Sequence, residues 1–438
     1  MRKRLRQFRR LPLVSPRQWL RRVVFWAGAV VVALAAIAFA FLANHADALF
    51  VRLKAPHPWV AFIICPAGLV ASFLLTRHVF PGAQGSGIPQ VIAAQHMVDR
   101  AAINRILSAR IAAGKIALTL LGLCCGASIG REGPTVQVGA SIMHGFGRLL
   151  RLPHLKLERA LILAGGAAGV AAAFNTPLAG VVFAIEELSH SFEARTSGTV
   201  LTAVIVAGMT TLALMGNYTY FGHTTATLDF GRGWIAVVLC GGLGGVGGGL
   251  FSAALIRASR GLPGRIGHMV MRYPVVFAAL CGLALAAIGV ASGGETYGTG
   301  YAQARAMVEA TGQSPGTYVV LKFAATAISY ISGIPGGLFA PSLSIGAGLG
   351  AWLAHLLPST TAGAVVLLGM VGYFAGVVQA PITATVIVME MTDNQGLTIP
   401  LMATAFLAFG VSRLVCRRPI YGALARRFLE MQHRVAKP

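Results

Sequence analysis

The sequence predicts an all-α, polytopic membrane protein. Three observations carry that reading: very little charge, apolar segments of bilayer length, and basic residues massed at both ends of the chain. Of 438 residues, 56% are hydrophobic and only 11% are charged. A soluble domain carries roughly 25% charged residues, so most of this surface must face lipid or protein.

The formal net charge of +23 does not point to nucleic acid, because the basic residues flank apolar runs and form no polar domain. Arg2, Lys3, Arg4, Arg6, Arg9, Arg10, Arg17, Arg21 and Arg22 precede the first run; Arg413, Arg417, Arg418, Arg426, Arg427, Arg434 and Lys437 follow the last. Lys/Arg excess beside spanning segments marks the cytoplasmic side. Both termini are therefore expected in the cytoplasm, with an even number of crossings. The first run, Val23 to Ala43, suffices for a crossing of roughly 20 residues. A long basic leader and no clear cleavage site argue against a removed signal peptide. Cys65, Cys124, Cys125, Cys240, Cys281 and Cys416 lie in or beside apolar segments without metal-type spacing, and read as free thiols. The eleven histidines show no ligand spacing either, so neither metal nor cofactor is expected.

Further apolar segments lie near 58–77, 111–126, 160–188, 198–217, 234–256, 273–292, 317–333, 337–357, 363–389 and 397–416. Many are broken by Gly, Pro or Asn, as at Phe174-Asn175-Thr176-Pro177. In lipid, broken backbone survives only where protein or a polar cavity surrounds it.

The chain also repeats itself. Lys115 and Pro134 match Lys322 and Pro341 at an offset of 207 residues. Gly165, Pro177 and Glu186 match Gly369, Pro381 and Glu390 at 204; Gly85-Ser86-Gly87 and Gln90 match Gly298-Thr299-Gly300 and Gln303 at 213. Ordered matches with small offset drift indicate an internal duplication, though not whether the halves run parallel or inverted. The expected division is a basic N-terminus (1–22), two transmembrane repeats (23–217 and 218–421) and a short C-terminus (422–438). Between the halves, Gly241, Gly245 and Gly249 form a small-xxx-small face for close helix packing. The overlapping Gly242, Gly244 and Gly247 match a nucleotide-binding glycine pattern, but inside an apolar span with no preceding strand.

Three motifs carry chemistry: Gly85-Ser86-Gly87-Ile88-Pro89, Gly130-Arg131-Glu132-Gly133-Pro134 and Gly336-Gly337-Leu338-Phe339-Ala340-Pro341. Proline suits the first turn of a helix, where its missing N–H costs nothing, and glycine before it permits a sharp turn. Each motif therefore reads as a helix start at membrane depth. Free N–H groups and the positive dipole end attract an anion there without a full positive charge. A buried Lys or Arg would hold a halide too tightly to release it.

These segments, in this order and followed by Tyr421 in Arg418-Pro419-Ile420-Tyr421, resemble the signature of the CLC chloride channel and transporter family from about Ala43 to Tyr421. Asn175-Thr176-Pro177-Leu178-Ala179-Gly180 and Gln379-Ala380-Pro381-Ile382-Thr383 add to the likeness. The resemblance implies a CLC-type fold of about 18 helices in two inverted-topology repeats, a homodimer in the cell (inner) membrane, and exchange of chloride for protons. Ser86 and Tyr421 would bind the anion through hydroxyls, Leu338 and Phe339 through backbone N–H groups, with Gly85, Gly87 and Gly133 supporting. Glu132 would be the external gate and proton carrier, and Glu187 the internal proton acceptor with Glu186 beside it. An acid in an apolar membrane segment is a functional candidate by default. Arg131 would position the gate or simply pack, and Glu186-Glu187 would equally serve as a helix cap. Glu390 and Asp393 read as structural.

An acid at Glu187 favours proton-coupled exchange over the alternative, a passive channel of the same family. Ser86 resembles chloride-preferring members, and Ser86 with Pro134 departs from the fluoride-exporting branch. Gln90 stands where the family commonly has an acid. The chain ends 17 residues after Tyr421, too few for the CBS domains many relatives append. A membrane hydrolase using Glu132 and Ser86 is disfavoured, because no His or paired Asp falls where such chemistry needs one.

Overall fold

The computed structural model describes residues 16–149, 155–189, 194–216, 218–231, 233–261, 264–312, 316–357 and 360–435. The basic residues from Arg2 to Arg10, the Asn217 boundary between the expected halves, and Lys437 lie outside the described residues.

All regular structure among those residues is helical. The earlier helices are α1 Pro16–Lys54, α2 Ala61–His78, α3 Ile88–His96, α4 Arg100–Ile106, α5 Ala109–Cys124, α6 Glu132–Leu149, α7 Leu155–Phe174, α8 Pro177–Phe183 and α9 Ala194–Met215. The later ones are α10 Trp234–Ser259, α11 Gly264–Arg272, α12 Pro274–Ala291, α13 Tyr301–Val308, α14 Thr317–Ile331, α15 Phe339–Leu356, α16 Ala362–Val378, α17 Pro381–Thr392, α18 Thr398–Val415 and α19 Ile420–Val435. A π-helical segment, Ala184–Ser189, continues α8. Among the described residues, seven helices are long and apolar enough to cross a membrane.

The sequence repeat is a structural repeat. In order, α3, α5, α6, α7, α8 and α9 correspond to α13, α14, α15, α16, α17 and α18. The packing repeats too: α6 lies on α7 as α15 lies on α16, and α1 packs on α7 and α9 as α10 packs on α16 and α18. A methyl added to Gly139 of α6 would strike Gly165 O of α7; one added to Gly346 of α15 would lie 2.6 Å from Gly369 O of α16. Both helix pairs therefore pack backbone against backbone, where no side chain fits. Both halves also break at the same place. Asn175 (φ 57°) and Gln379 (φ 59°) each take the left-handed conformation two residues before a helix-starting proline.

The relation between halves is inverted. Gly130 and Gly337, equivalent by the 207-residue offset, exchange both backbone hydrogen bonds (2.8 and 2.7 Å). Equivalent residues pair reciprocally in this way only about a two-fold axis. The partly buried Glu186, just beyond α8, accepts from Ile382 N and Thr383 N (3.2 and 2.6 Å) at the start of α17. Glu390, near the end of α17, accepts from Leu178 N and Ala179 N (3.2 and 2.7 Å) at the start of α8. Each helix ends where its counterpart begins, so α8 and α17 are antiparallel. Each carboxylate satisfies N–H groups that a helix start leaves free, which supports the structural reading of Glu390.

Three elements differ from their sequence outline. The first apolar run ends at Ala43, yet α1 continues to Lys54 with Ala46 and Phe50 buried. The apolar stretch 363–389 is two helices parted at Gln379. Residues 422–435, outlined as a tail, belong to α19, which packs on α3 and α10 and buries Leu424 and Ala425. The glycine face of α10 works on two sides. Gly241, Gly245 and Gly249 meet α18, while Gly244 and Gly248 meet the backbone of Gly372 and Gly376 on α16. All six cysteines are free, and all but Cys124 are buried.

Candidate anion pathway

The three predicted helix starts converge. Gly87 precedes α3, Glu132 opens α6, and Leu338 precedes α15. A methyl at Gly133 would strike Ser86 Oγ, lie 2.8 Å from Ser86 O, and sit 3.4 Å from Gly337 Cα. Only glycine at 133 lets the three segments meet this closely. Backbone bonds from Gly85 N to Ile334 O and from Gly336 N to Gly85 O (3.3 and 3.1 Å) fasten the first motif to the third. Two buried lysines hold the glycine loops. Lys115 Nζ donates to Ala83 O and Gly85 O (2.7 and 2.6 Å), and Lys322 Nζ to Thr296 O and Gly298 O (3.0 and 2.9 Å). Gln90 Nε2 also donates into the first loop, to Gln84 O at 2.6 Å, which an acid at that position could not do while ionised.

Ser86, Leu338, Phe339 and Tyr421 are all buried. Ser86 Oγ and Tyr421 Oη have no hydrogen-bond partner in the protein. The ring of Tyr421 stacks on Phe339 (centroids 6.0 Å apart, planes 11° apart), and Phe174, Phe183 and Phe374 pack round the Phe339 ring. The backbone N–H groups of Leu338, at the N-cap, and of Phe339 and Ala340, in the first turn of α15, have no intrahelical acceptor. The result is an apolar, aromatic chamber supplied with neutral donors. A cavity of about 290 Å³ borders it, lined by Ser86, Gln84, Gln90, Tyr330, Leu424 and Arg427.

The Glu132 carboxylate is fully buried. Its Oε2 folds over Gly130, in space that a methyl there would fill, and that same point lies 3.3 Å from Ala340 N. Oε2 has no hydrogen-bond partner in the protein, whereas Oε1 accepts from Tyr301 Oη at 2.5 Å. Arg131 is buried and does not snorkel. It donates to Ala40 O (2.6 Å), Asn44 Oδ1 (2.8 Å) and Tyr220 Oη, and its Nε lies 3.9 Å from Glu132 Oε1. Its guanidinium also lies over the rings of Tyr220 and Tyr301. Glu187, in the π segment, is buried with Oε1 unpartnered. Glu186 points instead to the start of α17.

Sequence reasoning therefore gathered Ser86, Glu132, Leu338 and Phe339, with Gly85, Gly87, Gly133 and Arg131, about one point, and Tyr421 beside it. It missed Tyr301, Tyr220 and Asn44. The available signal for Tyr301 was its position directly after the repeat-matched Gly298-Thr299-Gly300.

Residues 67–413 match the family described as Voltage gated chloride channel. The chain belongs to that family. The match starts within α2 and stops within α18, so Tyr421 on α19 lies just past it. A relative, the H(+)/Cl(-) exchange transporter ClcA of Yersinia pestis bv. Antiqua (strain Angola), is 31% identical over 412 residues, covering 89% of this chain and 81% of the relative. A crystal structure of a slow cyanobacterial Cl-/H+ antiporter is similar with a TM-score of 0.76 and 26% identity, covering 94% of this chain and 99% of that one. A CLC-type fluoride/proton antiporter shares the fold at a TM-score of 0.79 and 22% identity, with the same coverage. This family member is accordingly a multi-pass membrane protein.

Proposed function

We propose that the protein exchanges chloride for protons across the membrane, with Glu132 as the gate. One observation carries the reading: a buried carboxylate with an unpartnered oxygen occupies the convergence of three helix starts, beside the free hydroxyls of Ser86 and Tyr421. Amide dipoles and hydroxyls stabilise an anion there without the grip of a full charge. A halide and an ionised carboxylate are alternative occupants of such a space, so protonation of Glu132 lets it withdraw and admits chloride. Leu338 and Phe339 contribute N–H donors, and Gly85, Gly87 and Gly133 let the backbone approach. Glu187, buried toward the Tyr421 end, exchanges protons with the cytoplasm. The protein works as a homodimer in the cell membrane with both termini cytoplasmic, and its two inverted units divide near residue 217. The names of the relatives support exchange over passive conduction, and transport over catalysis.

Chloride-driven proton flux in liposomes tests this. Glu132→Gln and Glu187→Gln should each abolish proton movement while chloride flux persists. Undiminished proton pumping in both variants would remove the relay, and chloride current without proton movement in the wild type would make the protein a channel.

A further inference from the structure

We infer that Tyr301 is a positioning residue for the gate: its phenol latches the Glu132 carboxylate in the pathway-filling position and thereby limits transport rate. The inference rests on Glu132 acting as the gate. Tyr301 opens α13, and its Oη donates to Glu132 Oε1 at 2.5 Å. The phenol cannot easily drift, because the loop before it is fixed. Lys322 Nζ bonds three of that loop's carbonyls, those of Thr296, Tyr297 and Gly298. Gly300 O accepts from Ser344 Oγ at 2.9 Å, and Ser344 Oγ pairs with Tyr318 Oη at 2.6 Å. The ring is wedged between Tyr220 and Phe221 (centroids 5.0 and 5.2 Å) and lies beneath the Arg131 guanidinium.

The repeat sharpens the point. By the 213-residue offset, Tyr301 is the counterpart of Ile88, a wholly buried apolar residue that opens α3. The later half thus carries a hydroxyl where the earlier half carries only packing, and that hydroxyl reaches the acid that the earlier half supplies.

The latch acts within a defined set of charged and titratable groups. Arg131 comes from the start of α6, Tyr218 and Tyr220 from the segment before α10, and Tyr421 from α19. Asp47 of α1 lies within longer electrostatic range of both Arg131 and Lys322 of α14. Arg131 and the tyrosines other than Tyr301 keep their places when only the Tyr301 hydroxyl is removed. Losing one donor to an ionised carboxylate favours its release and its protonation.

The test is Tyr301→Phe in liposomes, read as chloride turnover, proton flux and the pH of half-maximal chloride flux. A hydrogen bond to a charged group is strong enough to predict turnover roughly tenfold higher, with half-maximal flux moving about one pH unit upward. In a Glu132→Gln background the same change should do nothing, since the latched group is gone. Tyr220→Phe should leave the pH of half-maximal flux unchanged, because that hydroxyl touches Arg131 and not Glu132. Wild-type turnover and pH profile in Tyr301→Phe would overturn the latch, as would an equal rate increase in the Glu132→Gln background. If Tyr301→Phe does not fold, 3,5-difluorotyrosine at 301 keeps the ring and strengthens the donor. It should slow chloride flux, and flux at or above wild type would contradict the proposal. If Glu132→Gln itself still pumps protons, the gate reading has failed, and that result is distinct from failure of the latch.

Discussion

In the earlier half, Lys115 gathers the carbonyls of Ala83 and Gly85 and the loop presents Ser86; in the later half, Lys322 gathers those of Thr296 and Gly298 and the chain presents Tyr301. Glu132 at the start of α6 has Phe339 at the start of α15 as its counterpart, at the offset of 207. The duplicated parts are backbone devices: glycine turns, helix-starting prolines, buried lysines, reciprocal caps. The parts that differ carry the chemistry. A symmetric frame gives two inverted cradles of amide dipoles, and a few unmatched side chains make one hold the Glu132 carboxylate and the other the Phe339 ring.

Breaking the frame should therefore hurt both halves alike. The largest effect is expected from Lys115→Met and Lys322→Met. Each strips a buried donor from several carbonyls at once, and unsatisfied buried acceptors cost about 1–3 kcal/mol apiece. Both variants should lose about 3 kcal/mol of stability, read as a lowered Tm in detergent. Among survivors, Lys115→Met should weaken chloride binding, whereas Lys322→Met should loosen the gate. A smaller effect, about 1 kcal/mol each, is expected for Glu186→Ala and Glu390→Ala, which remove the reciprocal caps on α17 and α8. Near-equal Tm losses would support the two-fold relation. A large loss for one and none for the other would show that the caps are not equivalent.

Much of this architecture was legible before any coordinates, because its signals are local. Glycines shortly before a proline, as in Gly85-Ser86-Gly87-Ile88-Pro89 and Gly130-Arg131-Glu132-Gly133-Pro134, declare helix starts, and ordered matches at drifting offsets declare duplication. Inversion was not legible from offsets, since sequence spacing has no direction in space; it emerges from the paired hydrogen bonds of Gly130 and Gly337 and from the reciprocal caps of Glu186 and Glu390. Short helices such as α4, α11 and α13 left no apolar run long enough to notice. Tyr220 and Asn44 were invisible for another reason, and Tyr301 was marked only by its place after Gly298-Thr299-Gly300. Their meaning is a contact with Glu132 or Arg131 from 87 to 169 residues away, and nothing in their immediate neighbours requires it. Arg131 was left between positioning and packing; it is buried, bonds Ala40 O and Asn44 Oδ1, and lies 3.9 Å from Glu132 Oε1.

Bromide soaked into crystals, located by its anomalous signal, tests most directly whether halide and carboxylate share one space. Wild-type protein should show bromide beside Ser86, Tyr421 and the N–H groups of Leu338 and Phe339. Glu132→Gln should add a second peak over Gly130, near Ala340 N, where the carboxylate had been. Bromide absent from both positions in the variant, or an unchanged single peak elsewhere with Glu132 turned away from the helix starts, would contradict it.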